Sequence, residues 1–367
     1  IASCLVGSEM CIRDRGITGT RLFSTLYHRT LSVGRVMTPT LALVVERENA
    51  IEGFKKEKFY VVELDCGFPA ASDRLQERKA ADKLQAACTG QTAAVRSVEK
   101  KQKSTQPPKL YDLTSLQRDG NRLMGYTAQQ VLDYAQALYE KKLLTYPRTD
   151  SNYLTEDTAA TVPGLVEVAV QSLPFSVEVG PPDVARVVDG SKVSDHHALL
   201  PTMQVRSDTL AALPAGERNV LTLVIVRLLC AVGEKQVYED TAAALECGGV
   251  SFSARGRVVT VPGWKAIEQM FLSTLKQKTE KEEPEARALP PLAEGQTFSG
   301  CKAAVREGAT SPPKHFTEDL LLSAMEHASA EEFAEIEGVE RTGLGTPATR
   351  AGAVSYTHLR AHETRGN

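Results

Sequence analysis

The stretch GYTAQQVLDYAQALYEKKLLTYPRTDS, residues 125–151, sets the frame for reading the rest of the chain. Thr127 and Gln130 form a T-x-x-Q capping box, which opens a helix by satisfying its first free amides. Ala128, Val131, Leu132, Ala135, Leu138 and Tyr139 follow at helical spacing, with Gln129, Asp133, Gln136 and Glu140 on the opposite stripe. The spacing predicts a helix that ends near Leu143. Pro147 then forces Tyr146 out of the helical region into an extended conformation. Residues i and i+2 of an extended chain point the same way, so Arg148 falls on the tyrosine's side, with Thr149 and Asp150 following.

A phenol with an ordinary pKa of ~10 is a poor nucleophile at neutral pH. A neighbouring guanidinium favours the phenolate and can hold a phosphate oxygen through two parallel hydrogen bonds. The pairing suits a tyrosine that attacks a phosphodiester. Taken alone, the same residues also fit the commoner arrangement, a loop tyrosine with an arginine packed over it or bound to a carboxylate.

Outward from this stretch, SDHHALLPT (194–202) places His196 and His197 before an apolar segment. A histidine there could donate to a phosphate oxygen or move a proton near neutral pH, and a surface or core histidine fits as well. Two Thr-Pro steps, Thr38-Pro39 and Thr346-Pro347, read as helix starts, with threonine as cap and proline in the first turn. Helix starts of this kind offer amides to an anion, although plain capping is their usual role. The text from 57 to about 106 and from 248 to 264 reads as strand, and 111–150 as helix. A β unit interrupted by a helical one is therefore expected. Residues 275–297 are charged and Pro-rich, a predicted loop or linker.

Composition limits the partners. With 367 residues, 42% hydrophobic and 24% charged, the chain is long enough for two or three domains with a sizeable core. A net charge of −3 argues against a globally basic nucleic-acid binder, so phosphate contacts must come from local clusters. The run EKKQK at 99–103 and Lys141, Lys142 and Arg148 are candidates, each also readable as a solvated face. No apolar run has the length of a membrane helix, and VLTLVIVRLLCAV, broken by Arg227, reads as a buried helix. Seven cysteines without a C-x-x-C pair suit reduced thiols in a cytoplasmic compartment rather than a zinc site. No G-x-x-x-x-G-K-[ST] loop occurs, so no ATP site is expected. Transesterification through a phosphotyrosine needs none, since the bond energy is kept in the covalent intermediate. The two ends, 1–15 and 355–367, depart from the surrounding patterns, resemble adaptor-derived sequence, and are set aside from functional reasoning.

Together these segments are far more specific than any one alone. GTRLFSTLYHRTLSVGRVMTPTLALVVERE (19–48), DLTSLQRDGNRLMGYTAQQVLDYAQALYEKKLLTYPRTDS (112–151), SDHHALLPT and GLGTPATRA (343–351) resemble, in order, the type IA DNA topoisomerases and within them the topoisomerase III branch. The resemblance runs from about Gly16 to Val354. It implies a multidomain α and β fold, part of a torus. Residues 57–110 and 246–299 would form a β arch, 111–245 an inserted helical domain carrying the tyrosine, and 16–56 with 300–354 a helical domain binding single-stranded DNA. The family's Toprim domain, which carries the acidic ligands of Mg²⁺ and a catalytic glutamate, has no counterpart before Gly16, so the chain reads as a fragment.

By the same resemblance Tyr146 is the nucleophile that cuts one strand and stays joined to its 5′ phosphate, with Arg148 and His196 beside that phosphate. Gln136, Glu140, Thr145, Thr149 and Asp150 support the site, while Arg35 and Thr349 face the DNA. Strand passage and religation without ATP, by a monomer, would follow. Met37 stands where the family usually has glutamine, and Gly120 where it usually has alanine; the first change is expected to weaken a DNA contact. A single-strand-binding module without catalysis is the alternative. A tyrosine recombinase fits poorly, since its H-x-x-R element precedes the tyrosine and the chain's His362–Arg365 pattern has none after it.

Overall fold

The computed structural model describes residues 16–275, 288–328 and 343–363, without the side chains of 356–363. Expectations for residues 1–15, for 276–287 of the predicted linker and for 364–367 lie outside the described residues. The chain begins with helix α1 over 16–26 and α2 (Met37–Glu52), then enters a sheet through β1 (Lys58–Asp65), β2 (Pro69–Ala71), α3 (Arg78–Cys88) and β3 (Ala93–Thr105). A helical block follows: α4 (Leu113–Met124), α5 (Ala128–Glu140), α6 (Glu156–Ala159), α7 (Val162–Ser172), α8 (Ser207–Ala212) and α9 (Ala215–Ala231). The chain returns through β4 (Gln236–Cys247), β5 (Val250–Val261), α10 (Trp264–Thr274), β6 (Thr297–Phe298) and β7 (Lys302–Ala309), and ends in α11 (Glu318–His327) and α12 (Pro347–Glu363).

The strands form one antiparallel sheet in the order β6-β3-β4-β5-β2-β1-β7. Its two edge strands, β6 and β7, are consecutive in the chain, so the sheet curls on itself. The curl encloses Val62, Leu64, Phe68, Val95, Leu245 and Phe252. Beyond this wrapped end the outer halves of β3, β4 and β5 continue as a ribbon with mostly exposed or half-buried residues.

In the helical block the apolar stripe of α5 (Val131, Ala135, Leu138) joins a large core with α7 and α9. Helix α9 is apolar nearly all round and is buried accordingly. Its Arg227 is accommodated by an ion pair with Asp119 of α4, and it stacks on the Tyr111 ring at 4.1 Å. Tyr111 donates its hydroxyl proton to Asp119 Oδ2 (2.6 Å), and Arg122 Nη2 donates to Oδ1 (2.6 Å). Burial pushes the Asp119 carboxyl up, but Arg227 and Arg122 outweigh it and hold it below its ordinary value. A third cluster joins Ala128 at the start of α5 to Leu321, Leu322 and Met325 of α11 and Ala351, Ala353 and Val354 of α12.

Several local expectations change. The segment 57–106 contains a helix, α3, whose Arg-Lys-Ala-Gln-Leu composition favours helix and whose Ala81 and Cys88 face the core. Helix α2 starts at Met37 with Val36 as its cap; Thr38 is one residue inside, and its hydroxyl accepts from the Gly34 amide (3.0 Å). Met37 packs against the third cluster. Strand text begins at Gln236 rather than 248, and α10 follows β5.

Candidate active site

The T-x-x-Q box forms: Thr127 Oγ1 accepts from the Gln130 amide (3.1 Å) and Gln130 Oε1 from the Thr127 amide (2.9 Å). Helix α5 ends at Glu140, and Lys142 takes a left-handed turn (φ 60°) that swings the chain round toward Tyr146. What holds the segment after the turn is the 194–202 strip, laid alongside it. The Thr145 amide donates to the Leu200 carbonyl (3.0 Å), and the Leu200 amide donates back to Thr145 Oγ1 (2.9 Å). Leu144 bridges Pro201, and Thr202 Oγ1 donates to the Lys142 carbonyl (2.6 Å). Further on, buried Thr149 donates from Oγ1 to the His196 carbonyl (2.8 Å), and Ser194 donates to Asp150 Oδ1 (3.2 Å). Two threonines therefore set the register in which His196 meets the tyrosine.

Tyr146 is half-buried between two rings. The His196 ring lies 4.3 Å away, tilted by 44°, and Tyr139 of α5 meets it edge-on at 5.5 Å. Among the described residues its hydroxyl has no hydrogen-bond partner. Arg148 is exposed and, among the described residues, has no ion-pair partner.

Beside this loop lies a cavity of about 1010 Å³ whose lining includes Arg35, Arg148, Thr149, Asp150, His196 and Thr349. Four of these come from the tyrosine and histidine segments, and two from the Gly-Arg and Thr-Pro turns near α2 and α12. Tyr146 is not among the lining residues; it reaches the cavity through the His196 ring. Gln136 and Glu140 stand on α5 and bond to each other (Gln136 Nε2 to Glu140 Oε1, 3.1 Å), away from the cavity wall. A wall carrying guanidinium, imidazole and hydroxyl groups can bind phosphate oxygens, and the ring contact places a phenol at its margin.

Sequence reasoning passed over several wall residues. Arg350, only 5% exposed, donates from Nη1 to Thr114 Oγ1 (3.2 Å) and from Nε to the Leu344 carbonyl (2.9 Å). Burial lowers its guanidinium below the ordinary value, against the pull of Glu326, Asp112 and Asp150. Burial, with Asp112 nearby, raises the Glu326 carboxyl. The Arg350 signal was its place next to Thr349 in GLGTPATRA. Tyr139 was read as an apolar stripe residue but is 40% exposed and packs on Tyr146.

The basic run 99–103 does not face the cavity. Lys100 pairs with Glu239 (3.2 Å), Lys101 with Glu99 (2.6 Å) and Lys103 with Asp240 (3.0 Å) along the ribbon. Lys141 is paired with Glu217. Among the described residues no three His, Cys, Asp or Glu side chains are grouped to hold a metal ion. The acids that line the cavity are Asp112, Asp150, Asp195 and Glu326.

A family model described as DNA topoisomerase matches residues 13–362. The chain belongs to the DNA topoisomerase family. Among curated members it is 36% identical over 362 residues to DNA topoisomerase 3 of Bacillus licheniformis, across 92% of this chain and 48% of that protein. DNA topoisomerase 3 of Bacillus subtilis matches with the same identity and coverage. This topoisomerase chain thus spans about half the length of the curated relatives it matches. Full-length topoisomerase I from Thermotoga maritima superposes with a TM-score of 0.67 over 90% of this chain and 52% of that one. At 22% identity that likeness shows the fold, a type IA core of helices and sheet. The topoisomerase has no helix among its described residues long and apolar enough to cross a membrane.

Proposed function

We propose that this chain is the strand-cutting half of a type IA, topoisomerase III-like enzyme that breaks one DNA strand through a 5′-phosphotyrosine at Tyr146. In that reading the phenol oxygen attacks the phosphorus, the 3′ oxygen leaves, and the reverse attack reseals the strand after another has passed. Arg148 holds the scissile phosphate, and His196 donates to it or passes a proton. Thr145 and Thr149 fix the strip that carries His196, and Arg35 and Thr349 contact the single strand on the far wall. Gln136 and Glu140 support α5 as it feeds the loop. No ATP enters, because the intermediate keeps the bond energy. The protein works as a cytoplasmic monomer, with Mg²⁺ held by acidic residues beyond this chain.

One observation supports this reading above the rest: the Tyr146 ring lies against His196, which shares one cavity with Arg148. The test is an adduct gel with a labelled single-stranded oligonucleotide, with and without a Toprim domain supplied in trans. The chain alone binds the oligonucleotide with little cleavage. Adding Toprim and Mg²⁺ yields a covalent band, which Tyr146→Phe abolishes while binding persists. A band that survives Tyr146→Phe, or robust plasmid relaxation by this chain alone, would sink the assignment.

A further inference from the structure

Four of the chain's cysteines gather at the wrapped end of the sheet, far from the chemistry of Tyr146. Cys66 leaves β1 and Cys301 enters β7, one step beyond the last register pair Asp65↔Lys302. Their sulfur atoms are 2.7 Å apart. Cys88, at the end of α3, and Cys247, at the end of β4, form a second pair in which each thiol donates to the other's carbonyl oxygen (3.4 and 3.7 Å).

The two pairs differ in access. Cys66 is half-buried, whereas Cys301, Cys88 and Cys247 are buried. A small oxidant can therefore reach one member of the first pair and neither member of the second. We propose that Cys66 and Cys301 form an intramolecular disulfide when the protein meets a low-molecular-weight disulfide, which makes this pair a covalent modification site of the sheet.

The chemistry balances with oxidised glutathione as the oxidant. The Cys66 thiolate attacks one glutathione sulfur, the glutathione S–S bond breaks, and one reduced glutathione leaves. The Cys301 thiolate then attacks Cys66 Sγ in the mixed disulfide and expels the second. Two electrons pass from the protein thiols to glutathione, and the two thiol protons end on the two reduced glutathiones. Burial and the adjoining Cys301 push the Cys66 thiol up to about 12, so the first attack is slow at neutral pH. The second is fast because the resolving sulfur is already in contact.

The two positions are 235 residues apart in the chain. A link between them closes the β1 and β7 ends around the whole helical block and removes chain entropy from the unfolded state.

The experiment incubates the intact chain with oxidised glutathione, blocks remaining thiols in denaturant, digests it and reads peptide masses. The expected product joins the Cys66 and Cys301 peptides with a loss of two hydrogens, leaving Cys88, Cys230 and Cys247 alkylated. Melting temperature rises by several degrees in the oxidised protein and falls back with dithiothreitol. Cys301→Ser should instead accumulate glutathione on Cys66. The wild-type masses decide the matter even if that variant folds poorly. Glutathione resting on wild-type Cys66 without a link, a link from Cys66 to Cys88 or Cys247, no reaction at all, or bound zinc that shields the thiols until chelated would each overturn the proposal.

Discussion

The helical block and the β ribbon that carries it are built on opposite principles. In the block, α9 is sheathed by α4, α5, α7 and α10, and the charge in the middle of its apolar run, Arg227, is matched by Asp119 inside the protein. In the ribbon, the outer halves of β3, β4 and β5 have solvent on both faces, and their cross-strand contacts are ion pairs such as Arg257–Asp240 (2.7 Å). Buried charges cost much to orphan, whereas exposed ones are screened and contribute little. The block is therefore a stiff platform for the Tyr146 loop. The ribbon is a weakly held arm whose shape rests on backbone ladders rather than on a core.

The sharpest way to break this contrast is Asp119→Asn. It leaves Arg227 and Arg122 without their carboxylate and is expected to cost about 3–5 kcal/mol, read from the urea midpoint. The pH dependence has a definite sign. The folded carboxyl lies below its ordinary value, so its contribution is present above the unfolded pKa of ~3.9 and fades as pH falls through the folded value. The variant should flatten that acid limb; an unchanged limb would count against the network. Leu138→Ala, in the core of the block, is expected to cost about 2–5 kcal/mol, against under about 0.5 kcal/mol for Val258→Ala on the ribbon. Equal losses at the two sites would erase the distinction.

Gly120→Ala tests how closely α4 and α5 approach. An added Cβ would stand 2.6 Å from Val131 Cγ2, so about 1–3 kcal/mol should be lost, and the loss should vanish in a Val131→Ala background. A small effect is also expected at Asp240→Asn, which breaks the pairs with Arg257 and Lys103. Solvent screening limits the loss to about 1 kcal/mol or less, shrinking further in high salt.

The same contrast explains what could be read from the sequence. In the block, periodic apolar residues announce α5 and its Thr127–Gln130 box forms as read, but the helix ends at Glu140 rather than near Leu143, and the left-handed turn at Lys142, not Pro147, leads the chain out toward Tyr146. The ribbon lacks a buried face, so its strands lack the alternation that would reveal them, and β4, with Glu239, Asp240 and three alanines, passed unnoticed. Thr38 looked like a cap because threonine before proline usually is one, but Val36 and the Gly34 turn take that place. Arg148 and His196 could be named from their motifs. Asp112, Glu326 and Arg350 could not be gathered into one wall, since that wall is made by α4, α11 and α12 meeting in space and no local spacing records the meeting.

One detail of the ladder has a practical consequence. Thr105, the last residue of β3, pairs directly with Gln236, the first of β4. Everything between them leaves and returns through that one rung, so the block is topologically the loop of a hairpin. A gene with residues 106–235 removed and a two-residue Asn-Gly turn in their place would encode a continuous β-hairpin with every remaining rung intact. Trp264, Ile267 and Phe271 of α10 would lose their cover, as would the faces of α11 and α12 that pack on α4 and α5, and polar replacements on those surfaces would yield a miniature made of the curled sheet and its flanking helices.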